Sequence, residues 1–253
     1  MAQIIALANQ KGGVGKTTTS VNLGAALAQA GKRVLLVDID AQGNATSGSG
    51  IDKSELERDS YDVIVDLVPI REVIVATDNY DLLPATIQLS GAEIELASQK
   101  KREYRLKKAL SEVADDYDFI LIDNPPALGL LTVNAFTASD AILIPVQTEF
   151  YALEGLGQLL NTIELVRQQF NAALDISGIL LTMYDARTNL AKQVSEEVRN
   201  YFGDKVYTTV IPRSVRLSEA PSYGQAIIDF DPRSIGAQVY SNLAQEVLEQ
   251  YGN

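Results

Sequence analysis

The stretch NQKGGVGKTTT, Asn9 to Thr19, places three glycines, two lysines and a run of hydroxyls within a few residues. The standard phosphate-binding pattern is G-x-x-x-x-G-K-[ST]. Gly15, Lys16 and Thr17 match its second half, and Gln10 stands where its first glycine belongs. The chemistry survives that departure. Gly12, Gly13 and Gly15 let backbone amides, including those of Val14 and Thr18, approach phosphate oxygens, and a helix that follows adds its partial positive charge. Lys16 would neutralise the outer phosphates, and the Thr17 hydroxyl would ligate Mg²⁺. Lys11 is a second cation beside the same small loop, in a chain of net charge −12. Two like charges so close repel unless a polyanion lies between them. One opposite charge at about 4 Å is worth roughly 4 kcal/mol at an effective dielectric near 20, before desolvation.

Three carboxylates complete the candidate set. Asp38 and Asp40 close the run RVLLVDID, and Asp123 closes FILID. Both runs read as strands, and ligands of open α/β sheets bind at the carboxyl ends of strands. Alternation predicts Asp38 and Asp40 on the same side of theirs.

These residues need elements to hold them. Gln3–Ala8, Arg33–Asp40, Tyr80–Ala85, Phe119–Asp123, Ala141–Val146, Ile176–Thr182 and Val206–Pro212 are apolar, β-branched runs, several of them continuous as in strands buried on both faces. Between them lie helical patterns. Thr17–Ala30 ends at Gly31. Leu106, Ala109, Leu110 and Val113 share a face, as do Leu156, Leu159, Leu160, Ile163, Val166 and Phe170. Leu190, Val194 and Val198 repeat every four residues, and Ser234–Gln250 reads as a closing helix. The alternation predicts one α/β domain over residues 1–253: a doubly wound, mostly parallel sheet flanked by helices. The polar stretch Gly43–Val75 is the least regular.

Composition removes other chemistries. The chain has no cysteine and no histidine, which excludes disulfides, thiolate metal sites and an imidazole base. No apolar run approaches a membrane span, and no signal-peptide pattern opens the chain. Net charge alone does not draw this protein to nucleic acid, so such binding would need a local basic patch.

KGGVGKTTT is similar to the deviant phosphate loop of the ParA/MinD ATPases, which share a signature lysine at the position of Lys11. VDIDAQGNAT, ILIDNPPALGLLT, PVQTEFYALEGL, MYDARTNLA and IPRSVRLSEAPSYGQ resemble successive motifs of the same family. The resemblance spans nearly the whole chain and is strongest to the short, Soj-like ParA proteins, which lack the N-terminal helix-turn-helix domain of longer plasmid relatives. It implies ATP and Mg²⁺ as ligands. It implies that Asp40 orients or activates the attacking water, that Asp38 supports the metal region and that Asp123 holds Mg²⁺, through water. It implies that Lys11 reaches the phosphates of a second subunit while Lys16 serves its own. Pro212 and Ser214 fall in a loop that lines the adenine in relatives, although position 214 is often Asn there. Relatives commonly read Asp-Cys-Pro-Pro where this chain has Asn124. Arg187, opening a helix pattern, and Arg216, in a loop after a strand, stand where Soj-like proteins contact DNA phosphates.

The implied function is an ATP-dependent homodimer that binds double-stranded DNA nonspecifically and is reset by hydrolysis. A ParB-type centromere-binding partner stimulates that hydrolysis, in a cytoplasmic, nucleoid-associated protein of chromosome or plasmid segregation. A MinD-like positioning ATPase is the alternative, but its amphipathic tail needs basic residues, and SNLAQEVLEQYGN carries only acidic ones. A cluster-carrying relative needs cysteines. A small-molecule kinase or ligase on the same fold is compatible with the composition. Lys100, Lys101, Arg102, Arg105, Lys107 and Lys108 form the most basic stretch, whose simplest reading is a solvated helix face.

Overall fold

The computed structural model describes residues 1–149, 152 and 156–252. Most of EFYALEG, within one of the family-like motifs, lies outside the described residues.

Among the described residues eight strands form one sheet: β1 (Gln3–Leu7), β2 (Val34–Asp38), β3 (Val75–Ala76), β4 (Asp81–Leu83), β5 (Phe119–Asp123), β6 (Ala141–Gln147), β7 (Asp175–Tyr184) and β8 (Val206–Pro212). Their order is β3-β4-β2-β5-β1-β6-β7-β8. Every pairing is parallel except that of the edge strand β3 with β4. The helices are α1 (Lys16–Gln29), α2 (Asn44–Gly48), α3 (Ser60–Ile64), α4 (Ala92–Leu96), α5 (Arg105–Ser111), α6 (Leu130–Ala138), α7 (Leu156–Gln169), α8 (Asn189–Phe202), α9 (Val215–Glu219), α10 (Ile227–Phe230) and α11 (Ile235–Tyr251).

Alternation along the strands divides the core in two. Ala6, Leu35, Val37, Ile120 and Ile122 face one side, packed with Leu106, Phe136, Leu159 and Val198 from α5, α6, α7 and α8. Ile5, Leu7, Leu36, Phe119 and Leu121 face the other, packed with Leu23, Leu27, Tyr240 and Val247 from α1 and α11. This is why the strands read as continuous apolar runs. The central strands β1, β2, β5 and β6 are covered on both faces, so they are almost wholly apolar until they end.

Register then sets the site. Leu7 pairs with Asp123, and Asp38 pairs with Asp123. The ends of β1, β2 and β5 are therefore level. The loop after Leu7 and the carboxylates of Asp38 and Asp123 emerge at one edge.

Three departures from the sequence expectation have physical causes. The strand expected to run to Asp40 stops at Asp38, because the Asp38 carboxylate accepts the Asp40 N–H (3.0 Å) and the Asp40 carboxylate accepts the Gln42 N–H (3.0 Å). Successive aspartates bend the backbone by hydrogen-bonding to it. Helix α6 carries no amphipathic stripe, since Leu131, Thr132 and all residues from Asn134 to Ala138 are buried, and periodicity does not reveal it. The polar segment after Gly43 contains the short helices α2 and α3, the latter closed by an Asp59–Asp62 capping box.

Gly178 in β7 leaves no room for a side chain. A Cβ there would lie 2.6 Å from the Tyr207 ring and 3.0 Å from the Lys205 carbonyl. Gly178→Ala is expected to destabilise the fold by about 1–3 kcal/mol through overpacking, read as a lowered midpoint in chemical denaturation. An unchanged midpoint would mean that β8 yields at no cost.

Candidate functional site

The phosphate loop runs from the end of β1 to the start of α1, and each of its turns is tied to a neighbour. The Asn9 side chain donates to the Pro145 carbonyl (2.7 Å) and accepts the Lys11 N–H (3.0 Å). The Thr182 hydroxyl donates to the Val14 carbonyl at 2.8 Å. Gly15 caps α1 with φ 88°. That left-handed turn favours glycine and aims the first amides of α1 outward.

Gly12, Gly13, Gly15, Lys16, Thr17 and Thr18 line a cavity of about 350 Å³, with Asp40 and Met183 also on its wall. Lys16 is buried, and its ammonium donates to the Lys11 carbonyl at 3.3 Å. Burial lowers its pKa, while the charges of Asp123 and Asp40 raise it. A buried ammonium facing carboxylates and open space is poised for a stronger anion.

Asp123 is fully buried. It accepts the Thr17 hydroxyl (2.7 Å) and the Ser20 hydroxyl (2.7 Å), one on each oxygen. Asp38 is buried beside it and accepts the Thr46 N–H (2.9 Å), the Thr46 hydroxyl (2.8 Å) and the Asp40 N–H (3.0 Å). Burial pushes both carboxyls above the usual range. The negative charge of Asp123 adds to the rise at Asp38, whereas the hydroxyl bonds and Lys16 oppose it at Asp123. Asp38 does not line the cavity. It holds Asp40 and the start of α2 in place.

Asp40 lies in the turn beyond β2 and reaches the cavity wall. One of its oxygens is engaged by Gln42. The expected alternation of Asp38 with Asp40 is thus replaced by a turn, yet Asp40 still faces the phosphate loop.

A second cavity of about 270 Å³ includes Thr182, Met183, Pro212, Ser214 and Tyr240 in its lining. It shares Gly15, Thr18 and Met183 with the first, so the two adjoin at the start of α1. Pro212 and Ser214 line this cavity together with Gly15 and Thr18. Met183 has φ 51°, an uncommon left-handed conformation for a residue with a side chain, and it touches both cavities.

Lys11 is absent from both walls. Its ammonium pairs with Glu149 at 3.0 Å. Arg187 and Arg216 lie at the same sheet edge, since Tyr184 of β7 pairs with Pro212 of β8 and each arginine follows within a few residues. Arg187 lies just before Thr188, the N-cap of α8, rather than within the helix, and pairs with Asp185 at 2.7 Å. Arg216 sits in α9, not in a loop, and is held by Glu219 (3.1 Å) and Asp231 (3.4 Å) beside the Phe230 ring.

Sequence reasoning missed Ser20, Thr182, Met183 and Glu149. Ser20 is one helical turn beyond Lys16, and that spacing is visible in the chain. Thr182 and Met183 come from β7 and Glu149 from just beyond β6, all far from the phosphate loop in sequence. Asn124 is buried and donates to Leu7 (3.1 Å) and Ile122 (3.2 Å), so it ties the end of β5 to β1.

A family model described as an AAA domain matches residues 2–176. The sporulation initiation inhibitor protein Soj of Bacillus subtilis is 65% identical over 249 residues, covering 98% of each chain. The chain belongs to the Soj/ParA family. The chromosome partitioning protein ParA of Caulobacter vibrioides is 50% identical over 252 residues, covering 98% of this chain and 94% of its own. Among solved structures, cobyrinic acid a,c-diamide synthase from Mycobacterium smegmatis with bound ADP and magnesium superposes with a TM-score of 0.89. It is 39% identical and covers 100% of this chain and 96% of that one. The family resemblance carried by the motifs is therefore borne out. Identity to the partitioning proteins exceeds that to the synthase, which favours the partitioning reading over a ligase.

Lys16→Ala is expected to weaken nucleotide binding at least about tenfold, the scale of a lost hydrogen bond to a charged group, about 1.5–3 kcal/mol. Titration calorimetry with ADP and Mg²⁺ measures it, and unchanged affinity would remove Lys16 from phosphate binding.

Proposed function

We propose that this protein is an ATP-switched DNA-segregation ATPase: ATP joins two subunits, the dimer holds DNA without regard to sequence, and hydrolysis releases it. The observation that carries the reading is the separation of the two loop lysines. Lys16 lines its own phosphate cavity, while Lys11 lies outside it, paired with Glu149. A lysine of the loop that does not face its own phosphates is available to those of a second copy.

Gly12 supports the same reading. Its φ is not left-handed, and a Cβ there would meet nothing within 4 Å. Among the described residues nothing requires glycine at that position, whereas close approach of a second backbone does.

The donor set fits Mg²⁺. The Thr17 hydroxyl and the Asp123 carboxylate bring hard oxygens within 2.7 Å of each other, and among the described residues no group of three or more acidic side chains forms a protein cage. Mg²⁺ characteristically takes one or two protein oxygens together with phosphate and water. When bound, it neutralises charge developing on the phosphates. The chain's own residues do the rest. Backbone amides from Gly12 to Thr18 orient the phosphates, and Lys16 offsets their charge. Asp40, on the cavity wall, orients the attacking water. Pro212 and Ser214 bound the space for the base.

DNA binding rests on Arg187 and Arg216. Both are exposed and ion-paired within the chain. Exposed pairs are worth about 0–1 kcal/mol, so DNA phosphates compete with them readily. Placement in the cytoplasm on the nucleoid, and a ParB-type activator on centromere DNA, follow from this reading. The membrane alternative loses support from α11, whose apolar face, including Tyr240, Leu243 and Val247, is buried against α1 and β8. No described helix is long and apolar enough to cross a membrane.

Two experiments test the proposal. Gly12→Val is expected to bind ATP with near-normal affinity and to remain monomeric, and Lys11→Ala to weaken the ATP-dependent dimer and hydrolysis more than monomer binding. Light scattering with ATP and with ADP distinguishes them, and a normal Gly12→Val dimer would defeat the shared-site reading. Arg187→Ala combined with Arg216→Ala is expected to spare dimerisation, lower DNA affinity and flatten its salt slope by roughly one unit for each phosphate no longer neutralised. An unchanged slope would exclude these arginines, and hydrolysis with no DNA binding at low salt would favour the ligase-like alternative.

A further inference from the structure

The basic stretch after residue 100 does not form a plain solvated face. Lys100, Lys101, Arg105 and Lys108 surround a concavity of about 640 Å³, closed on its apolar side by Leu67 and Tyr104. It shares no lining residue with the nucleotide cavities. Tyr104 stacks edge-on against Phe170, their centroids 6.0 Å apart. The adjacent Asn171 donates to the carbonyl of Ser139, at 2.7 Å, just ahead of β6. The Tyr104 side of the concavity thus lies toward the edge where the strands begin, away from the phosphate loop.

Three observations mark it as a site. The first is charge. Among the described residues none of these four cations has a carboxylate within 4.0 Å, although the neighbouring Arg102 pairs with Glu103 and Arg71 with Asp116. In a chain of net charge −12, leaving four cations together without acidic partners is unusual. Arg105 reaches only the neutral amide of Gln99, at 3.0 Å.

The second is backbone conformation. Leu67 (φ 61°), Lys101 (φ 56°) and Met183 are the left-handed non-glycine residues among those described. Met183 lines the nucleotide cavities, and the other two line this one. Such residues cluster where surrounding structure imposes them, most often at binding sites. The third is exposure. Leu67 is 49% exposed on the rim, an apolar surface without cover.

We infer that this concavity binds a small organic polyphosphate. The phosphates would lie among the four cations, Arg105 offering a planar fork and the lysines point charges. The carbon portion would rest on Leu67 and Tyr104. The volume falls in the range of small-ligand pockets. A duplex carries its phosphates on a convex surface and does not lower several of them into one concavity. A peptide carries one negative charge per acidic residue, whereas four cations around one cavity match the denser charge of linked phosphates.

Lysine acetylation read by mass spectrometry tests this on the full chain saturated with ADP and Mg²⁺, using tripolyphosphate as the probe and sulfate at equal ionic strength as the control. Tripolyphosphate is expected to protect Lys100, Lys101 and Lys108 several-fold, and Lys107, which does not line the cavity, much less. Lys16 reports any displacement of ADP separately. Lys101→Gly, which accepts the left-handed backbone without strain, combined with Arg105→Gln, is expected to lower tripolyphosphate affinity at least tenfold without changing ADP affinity. Equal protection of Lys107, protection by sulfate alone, or affinity unaffected by the double substitution would overturn the site. Protection by duplex DNA or a glutamate-rich peptide but not by tripolyphosphate would overturn the ligand class.

Discussion

Two carboxylates buried side by side at the end of a parallel sheet set the terms for the rest of the molecule. Asp38 and Asp123 are paired in register on β2 and β5, with no exposed surface. Burying one carboxylate is costly, and a second beside it adds repulsion. The surrounding chain offsets this through named groups. Thr17 and Ser20 donate from the first turns of α1, Thr46 donates twice from α2, and Lys16 supplies the charge. The phosphate loop, α1 and the turn after β2 are held together because they answer the same two negative charges. A site built this way favours cations and is held in position by the chain's own hydrogen bonds.

That arrangement assigns different work to the two lysines. Lys16 is buried among acids and is part of the local charge balance of its own phosphate loop. Lys11 sits on the outer side of the loop, about half exposed, against the equally accessible Glu149. An ion pair of that kind contributes little to stability and exchanges partners easily. The main chain of Lys11 is nonetheless fixed, because its N–H is bound by Asn9 and its carbonyl by Lys16. A fixed root with an exchangeable head suits a residue that must present a charge outward. The unobstructed space at Gly12, next along the loop, suits the same approach from outside.

The fold was largely legible because the sheet is buried on both faces. Phe119–Asp123 and Val206–Pro212 match their strands residue for residue, because apolar and β-branched residues dominate both runs and turn residues follow them. The same burial hid α6, whose surroundings are apolar nearly all round and so carry no stripe. The phosphate loop was legible from its glycines and lysine, being contiguous in the chain. Asp40 was placed on the wrong element but in the right neighbourhood: strand periodicity was extended across an aspartate turn that only the hydrogen bonds reveal. Glu149, Thr182 and Met183 were not legible, since each acts through contact with a loop far away in sequence. The arginines were legible as positions and not as environments. No spacing rule announces that Glu219 and Asp231 close on Arg216.

Those acidic partners bear on how an acidic protein could hold a polyanion at all. Lys11, Arg187 and Arg216, the cations assigned to a second subunit or to DNA, each have at least one carboxylate in contact within this chain. For a single subunit, exchanging those carboxylates for phosphates gains little per contact, and the overall negative charge opposes the approach. In the proposed dimer the balance changes. The cost of bringing DNA to the protein is incurred once, while the number of exchanged contacts doubles, so small individual gains accumulate into affinity. Neutralising each cation in the monomer therefore does not weaken the case for DNA binding. On the proposed reading it makes the binding conditional on assembly, and assembly conditional on the nucleotide that Lys11 would reach in a second copy.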